Sequence, residues 1–167
     1  MAVRHIILWL HLLAVIVWVG GLVFQCLVVR PTLIDATTER DRLRLSLILE
    51  ARFRAIMWPA VGMVLFTGLY NVVQVLYATS LAGGRLPQTF TYLLSMKLLL
   101  VALMIGIQAA LHLIIYPRRV ALFRALPADM DAMPTIPTAL IYWSYLLHLL
   151  TLVFAAGAVF LGVMLRG

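Results

Sequence analysis

The sequence predicts an all-α integral membrane protein: four transmembrane helices forming an antiparallel bundle, as a single domain over residues 1–167. Three observations carry this. Hydrophobic residues make up 65% of the chain and its mean hydropathy is +1.08, too apolar for a soluble domain of ordinary composition. Four apolar stretches, about 5–29, 55–77, 91–116 and 139–165, are each long enough to cross a hydrocarbon core of about 30 Å as a helix. Of the 13 Lys and Arg residues, only Lys97 falls inside one of these stretches.

The first stretch carries no formal charge between Arg4 and Arg30. Its apolar run is too long for a signal peptide and no small-residue cleavage pattern follows it, so it is expected to remain in the mature protein. The net charge of +7 does not indicate nucleic acid, because the basic residues lie between apolar runs rather than on one soluble face. They report topology instead. Arg30, Arg40, Arg42, Arg44, Arg52 and Arg54 fill the first connection, and Arg118, Arg119 and Arg124 the third, whereas the second holds only Arg85. The positive-inside rule then puts the first and third connections in the cytoplasm, with both termini periplasmic. The expected location is the bacterial cytoplasmic (inner) membrane.

Within the first connection, Glu39 to Phe53 reads as an amphipathic helix at the membrane interface, with Leu43, Leu47 and Phe53 toward one side. Pro117 is expected to end the third helix, and Pro127, Pro134 and Pro137 to keep the next connection irregular. Cys26 is the single cysteine, which excludes an intrachain disulfide and a cysteine-cluster metal site.

The informative residues are polar ones inside the spans, where an unpartnered polar group is costly. His11, Trp18 and Gln25 recur every seven residues and so share one helix face. His11 is six residues in from His5, Lys97 six in from Thr91, and Asn71 six before Tyr77. At about 1.5 Å per residue these three share a level roughly 9 Å from the outer boundary. A second level, toward the cytoplasm, holds His148, His112 and Gln108, bracketed by Arg30 and Arg54. His11 and His148 then differ in depth by roughly 12 Å, too far to share one small ion. A haem suits such a layout, because it is flat and apolar, takes axial imidazoles and carries propionates that prefer Arg or Lys. Trp9, Trp18, Trp58, Trp143, Tyr142, Tyr145 and Phe154 offer flat packing partners in the interior.

Copper is the alternative cofactor, resting on soft ligands: Met57, Met63, Met96, Met104 and Met164 in or beside spans, and the pair Met130 and Met133 in the third connection. Most buried methionines are gap-fillers. No phosphate loop, paired intramembrane acids or nucleophile elbow is present, and all six acidic residues lie in connections. Any catalysis would therefore be redox and cofactor-borne.

The run His11-Leu-Leu-Ala-Val-Ile-Val-Trp18-Val-Gly20-Gly21 followed by Val29-Arg30-Pro31 resembles the opening of small four-helix membrane proteins of the copper-resistance CopD family. The likeness continues through Arg42-Leu-Arg44-Leu, Ala51-Arg52-Phe53-Arg54, Thr67-Gly68-Leu69-Tyr70, Leu94-Ser-Met-Lys97-Leu, Leu111-His112 and Tyr116-Pro117-Arg118-Arg119. More distantly, the layout is similar to the HemJ-type protoporphyrinogen oxidases, which bind haem. There a first-span His, an Arg before the second span and a third-span Lys form the functional set, and His11, Arg54 and Lys97 stand at the corresponding positions; the Arg30-Pro31 pair is reversed and shifted relative to that family.

The expectation is a b-type haem membrane protein that transfers electrons or oxidises a porphyrin- or quinol-like substrate. His11, His148 and His112 are the candidate iron ligands, and Lys97, Arg54 and Asn71 complete the candidate binding set. Copper transport or resistance is one alternative and an accessory subunit of a respiratory complex another. The expected partners are the lipid bilayer and a membrane or periplasmic redox partner; a homo-oligomer or larger membrane complex stays open.

Overall fold

The computed structural model describes residues 2–35, 39–125 and 138–165, all of them helical apart from short turns. Six helices run in chain order: α1 (Ala2–Phe24), α2 (Arg30–Asp35), α3 (Glu39–Leu81), α4 (Gln88–Ala110), α5 (Tyr116–Ala125) and α6 (Thr138–Met164). Single π-helical turns, Gln25–Val29 and Leu111–Ile115, join α1 to α2 and α4 to α5 without a break. The result is four continuous rods long and apolar enough to cross a membrane, Ala2–Leu33, Asp41–Leu81, Gln88–Ala125 and Tyr142–Met164.

Two boundaries differ from the sequence reading. The expected interfacial helix is not separate, because Glu39–Leu81 is one helix of 43 residues, about 65 Å long and roughly twice the hydrocarbon thickness. No glycine or proline interrupts Ala51-Arg-Phe-Arg-Ala-Ile-Met57, so nothing ends the helix where its charge pattern changes. Nor does Pro117 end the third rod, which continues to Ala125. The π-turn explains this. A proline ring clashes with the carbonyl four residues back and removes a donor, and the widened turn absorbs both, with the Tyr116 amide donating five residues back to the Leu111 carbonyl. Arg30 donates to Gln25 in the same way, just ahead of Pro31.

The rods pack most closely in two pairs, α1 along α3 and α4 along α6. Glycines set the register. A Cβ on Gly68 would sit 3.4 Å from the His11 ring, one on Gly21 would collide with the Phe53 ring, and one on Gly162 would lie 3.0 Å from Lys97 Nζ. Between the pairs, the core gathers Trp18, Leu22, Met57, Val61, Val64, Met104 and Ala155. Outward residues are apolar as well, among them Phe66, Leu69, Leu113 and Val163, as lipid contact requires.

Candidate functional site

His11 is half-buried on the inner face of α1, with its Nδ1 2.8 Å from Thr67 Oγ1 on α3. Thr67 is buried, and its hydroxyl donates to the Met63 carbonyl at 2.5 Å, one helical turn back. That hydroxyl proton is committed, so the oxygen accepts from His11 Nδ1–H. The tautomer follows: the ring's lone pair is on Nε2. Gly68, beside Thr67, lets α3 approach the imidazole edge. Asn71, one turn further along the same face, is half-buried; Lys97 is half-buried against Gly162.

The opposite, arginine-rich end draws groups from all four rods. Arg30 Nη2 lies 3.0 Å from His148 Nδ1, 3.2 Å from Ser144 Oγ and 3.4 Å from the Ser144 carbonyl, with its guanidinium 5.5 Å from the Tyr145 ring centre. His148 Nδ1 is also 2.7 Å from the Ser144 carbonyl. One nitrogen cannot both donate to the carbonyl and accept from Arg30. The shorter contact belongs to the carbonyl, and Arg30 has the Ser144 oxygens as other acceptors, so Nδ1–H donates to Ser144 and Nε2 keeps the lone pair. Arg119 bridges the pairs as well, salt-bridged to Glu50 and donating to Ser46 Oγ at 2.6 Å. The Arg54 guanidinium stands 4.4 Å from the Tyr116 ring centre, and the Trp58 and His112 rings meet edge-on at 6.0 Å.

Buried side chains on the first and third rods carry polar atoms without a hydrogen-bond partner among the described residues. They are Trp18 Nε1, Gln25 Oε1, both amide atoms of Gln108, and His112 Nδ1. An unmet buried donor or acceptor costs about 1–3 kcal/mol. Of these, His112 also lines a cavity of about 10 Å³, together with Glu50, Leu111, Ile115, Arg119, Ser144 and His148.

Both histidines of the inner level are therefore buried and face one cavity, at 7% exposure for His112 and 3% for His148. Several aromatic side chains named as interior partners are not interior: Trp9, Tyr142, Trp143 and Tyr145 are exposed, because they fall on the outward faces of α1 and α6. Met63, Met96 and Met164 are exposed too, while Met57 and Met104 are core. Met130 and Met133 lie outside the described residues. Sequence reasoning missed Thr67, Ser144, Glu50 and Arg119. Thr67 was within reach, one turn from Asn71 on the same face of a helix that runs four residues beyond the end assigned to it. The salt bridge was not, since it joins residues 69 positions apart.

Of the groups a haem would need, imidazole Nε2 lone pairs are present on α1 and α6, with His11 turned to Thr67 and Gly68 of α3 and His148 to the cavity at the arginine-rich end. The seam between the helix pairs is closed by Trp18, Leu22, Met57 and Met104, so a macrocycle would lie there only with the two pairs drawn apart. Among the described residues, no three His, Cys, Asp or Glu side chains converge as a set for a bare metal ion. No family model, curated protein or solved structure matches this chain, so the site rests on its own geometry.

Proposed function

We infer that this chain is an antiparallel four-span protein of the bacterial cytoplasmic membrane, with periplasmic termini, that binds a b-type haem between its helix pairs and passes electrons from a membrane or periplasmic donor to an acceptor. The arginine content of the first and third connections supports the orientation. The single observation that carries the haem assignment is the chain from His11 Nδ1–H through the Thr67 hydroxyl to the Met63 carbonyl. Metal-ligating histidines donate their other ring N–H to such an outer partner, and His11 carries that arrangement.

When bound, the haem supplies one-electron redox chemistry. His11 would hold the iron at its level, and His148 or His112, at the arginine-rich end, would serve a second haem. Lys97 and Arg54 offer positive charge to propionates or to substrate carboxylates.

The test is a reduced-minus-oxidised visible spectrum with pyridine haemochrome quantitation on protein purified after expression with ample haem supply. A b-type signal at one or two haems per chain supports the reading. A colourless protein that carries stoichiometric copper transfers it to copper handling, and one that carries neither but holds stable partner chains transfers it to an accessory subunit.

A further inference from the structure

We propose that the cavity at the arginine-rich end is a binding site for one water molecule. Bonded to His112 Nδ1 on the third rod and to the Glu50–Arg119 pair, this water gives the buried imidazole its missing partner and adds a polar link between α3 and the third rod. The site does not depend on whether the protein carries a haem.

The cavity measures about 10 Å³, the room that a single water needs. Its walls include the hydrogen-bonding side chains of Glu50, His112, Arg119, Ser144 and His148, drawn from three rods. A chamber this polar holds water, whereas an apolar one of the same size stays dry. His112 is the second, independent observation. It is 7% exposed, it lines the cavity, and its Nδ1 has no hydrogen-bond partner among the described residues. The Trp58 ring meets the imidazole edge-on at 6.0 Å and packs it in place.

The other walls have bonding capacity to spare. A carboxylate offers about four acceptor positions and a guanidinium five N–H donors, and the Glu50–Arg119 salt bridge with the Arg119 bond to Ser46 uses only part of them. Water both donates and accepts, so it meets His112 Nδ1 in either tautomer and bonds Glu50 or Arg119 at the same time. Other ligands do not fit. A phosphate or carboxylate group is larger than the void, and the Glu50 charge repels any anion. Among the described residues no three His, Cys, Asp or Glu side chains form a metal set, and Glu50 is committed to Arg119. Trp18, Gln25 and Gln108 also carry unmet atoms, but none of them lines this cavity, so the site ends at His112.

The experiment is solid-state NMR on the full-length protein, uniformly labelled with ¹³C and ¹⁵N, in lipid bilayers, with His112 and Trp18 assigned by sequential correlation. Dipolar transfer from protons at the water frequency reaches a ring nitrogen only from a water held against it, because tumbling averages the coupling of free water away. The expected result is a water cross-peak at His112 Nδ1 about 5-fold or more stronger than at Trp18 Nε1, which is 2% exposed and equally unmet but does not line the cavity. Ser144→Val exchanges a hydroxyl for two methyl groups at the cavity wall, and is expected to displace the water and weaken the His112 peak by about 5-fold. A wild-type His112 peak no stronger than that of Trp18 overturns the proposal, and this comparison needs no variant. So does a His112 peak that keeps its full strength in Ser144→Val protein folded by its spectrum.

Discussion

His11 and Thr67, 56 residues apart in the chain, are joined by a 2.8 Å hydrogen bond that fixes which imidazole nitrogen carries the proton. The fixed direction comes from the helix itself, because Thr67 spends its only proton on the carbonyl one turn back. Thr67→Val keeps the shape and removes the acceptor, leaving the His11 N–H unmet. The expected loss is about 1–3 kcal/mol in unfolding free energy, together with a change in the His11 tautomer visible as exchanged ¹⁵N shifts of its two ring nitrogens. Thr67→Ser restores both.

At the other end, Glu50 and Arg119 hold the extension of α3 against that of α5, with side chains only 12% and 11% exposed. Removing one member of a pair this buried strands the other charge. Glu50→Ala alone is expected to cost about 3–5 kcal/mol, and Glu50→Ala with Arg119→Ala to cost less than the single change. Chemical denaturation of the three variants in one detergent checks the sign of the coupling.

Arg30 ties the end of α1 to α6 through Ser144. Ser144→Ala leaves the backbone carbonyl in place as an acceptor and is expected to cost about 1 kcal/mol, whereas Arg30→Met loses the whole contact at about 2 kcal/mol. The double variant is expected to fall short of the sum, since the two changes remove one shared interaction.

Adjacent glycines in the first span separate close packing from lipid exposure. A Cβ at Gly21 meets the Phe53 ring, while one at Gly20 meets nothing within 4 Å. Gly21→Ala is therefore expected to destabilise by about 1–3 kcal/mol, and Gly20→Ala to stabilise by up to about 1 kcal/mol through helix propensity. Equal effects at the two positions would refute the α1–α3 register.

The four spans were legible in the sequence because a bilayer imposes a length and a polarity that composition cannot hide. The seven-residue face of His11, Trp18 and Gln25 was legible for the same reason, and all three turn inward. Helix ends were not. A charge pattern that reads as an interfacial helix is compatible with a rod that runs straight on, and Pro117 reads as a stop only until a π-turn absorbs it. Depth counting set Asn71 level with His11, whereas the side chain bonded to His11 is Thr67, one turn away on the same helix. Which aromatic faces lipid and which faces the core depends on the packing of α6 against α4, and no local pattern around Tyr142 or Trp143 encodes it.

The central claim, that His11 presents a nitrogen to a haem iron, is tested most directly by comparing reduced-minus-oxidised spectra and haem content of wild type and His11→Ala. Both are purified in parallel, with Thr67→Val as a variant that perturbs the histidine without removing it. The account predicts a b-type spectrum in wild type, its loss or a shift in its α-band in His11→Ala, and a smaller change in Thr67→Val. A His11→Ala protein with full haem content and an unaltered spectrum would contradict it.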